Sequence, residues 1–202
     1  MTPLAPSDRH VASPGRPRSF DKEAALAAAL DVFWRQGYEA TSLDDLTQAM
    51  GLSRSSFYCC FGAKHACLLA ALRAYTDRSV TDLTTVARSA ETPRAAVQAM
   101  IRSMVDTQDG CRGCLLVNCI TELAGNDPEV QAVVQQHLTR IEGLIAQNLA
   151  PALPGEAHET VADRARAVVA ITIGAITLRK AGVPGDQIAR ALDQAEGLLP
   201  AG

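Results

Sequence analysis

Residues 41–61, TSLDDLTQAMGLSRSSFYCCF, decide the fold. Ser42, followed three residues later by Asp45, makes an S-x-x-D capping box that supplies acceptors to two orphan backbone donors at a helix start. Leu43, Leu46 and Met50 recur at i, i+3 and i+7 and give that helix one apolar face. Gly51 ends it, because glycine adopts the left-handed backbone needed to turn the chain without steric cost. Ser53 is an N-cap residue for a second helix. That helix exposes Arg54, Ser55, Ser56, Tyr58 and Cys59 and points Phe57 and Phe61 inward. A short helix, a glycine turn, and a helix that starts with small polar groups and an arginine make a helix-turn-helix. The second helix of that motif enters the DNA major groove.

Outward from this stretch, Asp21–Gln36 reads as a helix with Leu26, Leu30, Phe33 and Trp34 as its apolar stripe and Gly37 as its stop. It braces the two helices of the motif, so residues 20–66 form a three-helix DNA-binding head. Residues 1–19 hold Pro3, Pro6, Pro14, Gly15 and Pro17 and read as a flexible arm. Within the arm, Arg16 and Arg18 put two guanidinium groups on an extended backbone suited to a narrow minor groove. A solvated tail is the alternative, and the residues do not separate the two. Lys64 opens a long helix to about Ala87, with Leu68, Leu72, Tyr75, Leu83 and Val86 near helical spacing, that leaves the head. At a helix start, Lys64 is placed for a phosphate.

The 202 residues are 48 % apolar and only 4 % aromatic, with no long period-2 runs of β-branched residues, so the class is all-α. Pro93 opens a helix holding Val97, Met100, Ile101, Met104 and Val105, and Asp109–Gly113 breaks it. Cys114–Leu123 is a short apolar helix. Asp127 caps the next, Pro128–Leu149, and two more follow at about Thr160–Ala181 and Pro184–Leu199. With the long helix these make a six-helix body over residues 67–202. The net charge is −3, with a slight basic excess at the front and an acidic rear, which fits a DNA-binding head on a non-binding body. Residues 1–20 lack the apolar core of a secretory signal, and the longest apolar run, Ala167–Leu178, is too short to span a bilayer. A soluble cytoplasmic protein with mostly reduced cysteines and no membrane partner is expected. No G-x-S-x-G, Walker loop, G-x-G-x-x-G or H-E-x-x-H occurs, so no enzyme is expected. Asp44-Asp45 is a charge pair complementing a helix dipole.

The segments GRPRSF, FWRQGYEATSL, AMGLS and FYCCFGAKHACL, with Tyr58, Phe61 and Lys64 at successive spacings of three, resemble the TetR family of bacterial transcriptional regulators over Gly15–Leu72. GCLLVNCITEL and AITIGAITLRKAGVPGDQIARAL look like one subgroup's ligand-binding body. The resemblance implies that the body, 67–202, serves ligand binding and dimerisation, with a homodimer formed through the last two helices, about residues 160–199. It also implies a repressor that leaves a palindromic double-stranded operator when a small-molecule or thiol-reactive effector arrives. Carried over residue by residue, it suggests Thr41 and Ser42 at phosphates, Arg54, Ser55, Ser56 and Cys59 at base edges, and Tyr58 and Lys64 at phosphates. Two positions depart from the pattern. Cys59-Cys60 stands where an aromatic or small residue and then His are common, and Thr47 stands where Ala is common.

In the body, Cys111-Arg-Gly-Cys114 invites a metal reading, but no second C-x₂-C exists and His137 is far along the chain, so no metal and no cofactor are expected. A redox reading fits better, since Cys114 sits at a helix start near Arg112, which favours the thiolate. Cys111 and Cys114 are the redox-sensing candidates, against the plainer view that they are small buried hydrophobes. Asn118, Thr121 and Glu122 lie among apolar residues and need partners. They are expected to face a ligand pocket with Met100, Met104, Cys114 and His137. His65 and His158 are expected at the surface. Cys59-Cys60 is either an oxidation-sensitive pair on the reading helix or two small residues on a crowded surface. A helical ligand-binding or redox-sensing module without DNA binding is the alternative to a regulator.

Overall fold

The structure, a computed structural model, describes residues 21–106, 112–195 and 197. Arg16, Arg18, Cys111 and the end of the last expected helix lie outside the described residues. Those described form nine α-helices and no strand: α1 (Lys22–Gln36), α2 (Leu43–Met50), α3 (Arg54–Phe61), α4 (Lys64–Arg88), α5 (Pro93–Val105), α6 (Leu115–Glu122), α7 (Pro128–Leu149), α8 (His158–Lys180) and α9 (Gly185–Ala195). A 3₁₀ turn, Ala150–Ala152, follows α7. No described helix is long and apolar enough to cross a membrane.

The head is set by its caps. Asp21 accepts from the amides of Glu23 and Ala24, Ser42 and Asp45 form the full capping box, and Ser53 accepts from the Ser56 amide. Each such cap contributes about 1 kcal/mol. Gly51 takes φ 64° and ψ 32°, the left-handed turn that swings α3 across α2. The buried face of α1 differs from the expected stripe. Ala25, Ala29, Val32 and Phe33 are buried, while Leu26, Leu30 and Trp34 are half-buried. Small residues occupy the crossing because three short helices approach closely there, and the larger side chains project sideways. Thr47 is buried, and its hydroxyl donates to the Asp44 carbonyl, so a polar group replaces the common alanine without stranding a donor.

The head has no core of its own. Leu46, Phe57, Leu68 and Leu72 pack in one cluster with Leu115, Leu116, Val130 and Val134, so α4 joins the head to α6 and the first turns of α7. A second cluster, built on Leu83, Val97, Met100, Ile145 and Val169, fills the body between α4, α5, α7 and α8. α9 packs through Ile188 against Val105 and Ile176.

Candidate nucleic-acid interface and body cavity

α3 presents the expected face. Phe57 and Phe61 are buried, and Arg54, Ser55, Tyr58, Cys59 and Cys60 are exposed, with Ser56 half-buried at the edge. Ser53 Oγ lies 2.9 Å from both Ser55 Oγ and Ser56 Oγ, so three hydroxyls cluster at the start of this helix. Arg54 is held in a forked pair on Asp44, with Nε 2.9 Å from Oδ1 and Nη2 2.7 Å from Oδ2. The contact is bidentate, and both groups remain exposed at the surface.

Two of the residues expected at phosphates sit otherwise. Thr41 is only 2 % exposed, and its hydroxyl donates to the Gly37 carbonyl at 2.5 Å, so its side chain secures the end of α1. Lys64 Nζ donates to the carbonyls of Tyr38 and Thr41, each at 2.9 Å, and lies 4.2 Å from the Tyr38 ring centroid. The ammonium clamps the α1–α2 link onto α4. Ser42 is exposed and carries its cap. α4 itself begins at Ala63 without a side-chain cap, which leaves its first backbone donors without a side-chain acceptor.

The polar residues of α6 border a cavity of about 320 Å³ beside the end of α1, not the pocket expected with Met104, Cys114 and His137, and of the three only Glu122 bonds to the head. The Glu122 carboxylate accepts from the amides of Tyr38 at 3.1 Å and Glu39 at 3.0 Å. It lies so near Gly37 (φ 80°) that a Cβ there would meet Glu122 Oε1 at 3.0 Å. Asn118 donates to the Arg112 carbonyl and accepts from Lys180 Nζ at 2.5 Å. Thr121 returns its hydroxyl to the Asn118 carbonyl of its own helix. Further links come from Trp34 and Arg112, which the sequence singled out for other roles. Trp34 Nε1 donates to the carbonyls of Arg112 and Gly113, and the Arg112 guanidinium lies 5.2 Å from the indole centroid. Arg112 also donates to Asp31, and this hydrogen bond holds the Asp31 carboxyl below the usual carboxylate range. His65, expected at the surface, is half-buried with Nε2 2.7 Å from the Asp127 carboxylate that caps α7.

A cavity of about 350 Å³ lies between head and body. Of the expected pocket residues, Met104, Cys114 and His137 line it. Met100 is fully buried in the body core instead, and Asn118, Thr121 and Glu122 are absent from its wall. Leu30 and Trp34 of α1 complete the wall, so a helix of the head forms part of it. His137 is 4 % exposed, and its Nδ1 has no hydrogen-bond partner. Burial first, with Arg140 adding and Asp77 opposing, pulls its pKa down to about 4, so the ring is neutral near pH 7.

The half-buried Cys114 Sγ is 3.4 Å from the Tyr75 hydroxyl, and burial, then Cys114, pushes the Tyr75 pKa up. Cys67 and Cys119 are buried, and burial raises both thiols to about 12, which makes them inert packing groups. Among the described residues, no group of three or more His, Cys, Asp or Glu could hold a metal ion.

The sequence model of bacterial regulatory proteins of the tetR family matches residues 25–71. The HTH-type transcriptional repressor ComR of Escherichia coli (strain K12) is 33 % identical over 141 residues, covering 68 % of this chain and 67 % of that protein. The repressor BdcR of the same strain is 26 % identical over 148 residues, covering 72 % and 74 %. A cysteine-substituted form of the TetR-family regulator CifR, solved with a 26 bp double-strand operator DNA, superposes with a TM-score of 0.77 at 27 % identity, covering 92 % of this chain and all of that one. The reduced form of E. coli NemR shares the fold, with a TM-score of 0.78 at 19 % identity over 89 % of this chain and 97 % of that one. With its capped helix-turn-helix, its nine described helices and these relatives, the chain belongs to the TetR family of DNA-binding transcriptional regulators.

Proposed function

We propose that this protein is a repressor that grips a two-fold operator as a homodimer and leaves it when a small molecule fills the body cavity or reacts with Cys114. The observation that carries this reading is the shared wall. The helix-turn-helix exposes its reading face to DNA, while Leu30 and Trp34 of the bracing helix line the cavity on the other side. The head, 20–66, and body, 67–202, are thus divisions of labour joined by a common core. Arg54, Ser55, Ser56 and Cys59 read base edges. Tyr58, Ser42, the start of α4 and the arm arginines Arg16 and Arg18 hold the backbone. Phosphate contacts of this kind fix register, and only groove-facing groups read sequence. Lys64 serves by clamping the link before α2 so that these groups keep their places. α8 and α9 supply the dimer contact. On this reading the protein acts by binding rather than by catalysis, and works on the chromosome in the cytoplasm.

The test is selection of bound fragments from the source genome, followed by gel shifts on the recovered site. A pseudo-palindrome is expected, with half-sites about one helical turn or more apart. Arg54→Ala should weaken binding to that site roughly 10- to 100-fold and relax the preference for one base pair. Absence of an enriched palindrome, or an Arg54→Ala protein that matches wild type on every site, sinks the reading. For the thiol route, peroxide should release wild-type protein from DNA and leave Cys114→Ser bound.

A further inference from the structure

The cavity wall is apolar over most of its surface, with Leu30, Met104, Ile120 and Ile141 among its residues. Its charged members are Arg78 and Asp82, which are 85 % and 64 % exposed in their side chains and face each other at 3.8 Å. They lie in solvent and neutralise one another, so they offer the interior no counter-charge. The polar side chain most deeply buried on the α7 wall is His137, whose Nδ1 is paired with nothing in the fold. Trp34 closes the head side, and its indole N–H is already fixed on the Arg112 and Gly113 carbonyls. A guest therefore meets the ring of Trp34 without displacing its hydrogen bonds, and meets in His137 a polar edge that no protein group uses. A charged guest would bury an uncompensated charge, at a cost far above that of a neutral one.

We propose that the cavity takes an uncharged, largely apolar molecule with one hydrogen-bonding group, seated between the Trp34 indole of the head and the His137 imidazole of the body, and that it acts on the head by touching Trp34. The volume fits a substituted monocyclic ring or a molecule of similar bulk, at the small end of ligand cavities. The neutral imidazole meets the guest's hydroxyl or carbonyl, and the apolar remainder lies along α1 and α7. Movement of Trp34 then pulls on the 112–113 segment, on the Asp31–Arg112 pair and so on α1 itself. This inference rests on the cavity being the effector site of the proposed repressor.

The experiment uses the full chain and its single tryptophan, which is Trp34, as the reporter. Fluorescence is titrated with a short series of 4-alkylphenols, ethyl to hexyl, and with the matching 4-alkylbenzoates, which are anionic at neutral pH. Operator binding is followed separately by gel shift. At least one phenol should change Trp34 emission with a Kd of roughly 10–100 µM, as suits about a dozen non-hydrogen atoms. The benzoate of equal length should bind at least about tenfold more weakly. His137→Leu should weaken phenol binding severalfold by removing the hydrogen-bonding edge, His137→Gln should retain it, and both variants should still reject the benzoate. The phenol-to-benzoate comparison in the wild-type chain stands alone if a variant fails to fold. Unchanged emission up to about 1 mM for every phenol, or equal affinity for phenol and benzoate, overturns the inference, since the cavity would then hold neither guest in this way. A chain that binds the palindrome but no phenol refutes the guest and keeps the repressor. A chain that binds phenols but no DNA does the reverse.

Discussion

His137 shows what burial does to a group that otherwise titrates near neutrality. Its pKa is about 4 in the folded chain against an ordinary 6.5, because the charged ring would lie in an apolar wall. Between these values the unfolded chain binds more protons, so stability rises with pH across that window. The contribution is complete above about pH 6.5 and is lost as pH falls toward 4. Urea unfolding of wild type should therefore weaken by about 2 kcal/mol between roughly pH 7.5 and pH 4.5 through this one group, and His137→Gln should remove that component. A wild-type slope no steeper than that of the variant would show the ring is solvated. At the same scale, the paired Arg54 and the buried Thr41 were not visible in sequence. Their types and spacing are right for DNA. Which carboxylate or carbonyl each meets depends on the loop that α1 and α2 fold between them.

α6 is the element whose reading changed most. Its three polar residues were correctly seen as needing partners, but Glu122 finds them in the link after α1, Asn118 in the Arg112 carbonyl and the tail of α8, and Thr121 within α6 itself. Glu122 reaches amides 83 and 84 residues away in sequence, a distance at which local pattern carries no information. The helix thus splits its faces. Ile120 and Val117 line the cavity, and Glu122 holds the α1–α2 link. Glu122→Ala should leave the fold intact and loosen that link. Amide exchange at Tyr38 and Glu39 should quicken about fivefold, equivalent to roughly 1 kcal/mol for a charged acceptor at an exposed site. Release of operator by a cavity guest should become less steep in the same variant. If exchange at both amides is unaffected, the carboxylate is not what holds the link. The helices α2 and α3, by contrast, were legible in full, because capping box, glycine turn and apolar spacing all act within about four residues.

At the scale of the whole molecule, the single chain exposes two large hydrophobic residues among those described, Tyr58 at 54 % and Leu178 at 47 %. Tyr58 is on the reading helix. Leu178 is on α8, where Ala170, Gly174 and Thr177 are exposed beside half-buried Ala167 and Ile171, a row of small and apolar groups that invites a second helix. Leu178→Asp should convert a dimer to the 21.4 kDa monomer in sedimentation and abolish gel shifts on the palindrome at concentrations where wild type is saturated. A variant that stays dimeric with unchanged DNA affinity places the contact elsewhere on α8 and α9. Operator affinity should also fall steeply with salt, because phosphate neutralisation releases counterions whatever the net charge of −3.

The sequence by itself determined the helices, their caps, the helix-turn-helix and its exposed face, because those depend on forces that act between residues a turn or two apart. It also determined the all-α class, through apolar spacing at helical period and the near absence of β-branched alternation. Tertiary structure alone decided that the head lacks a separate core, that Lys64 and Thr41 lock a link, and that α6 sends Glu122 to the head. It alone brought Trp34 and His137 to the lining of one cavity. Those outcomes depend on how nine amphipathic helices share buried area. Each apolar face can be satisfied by several neighbours, and only the packing of the whole chain selects among them.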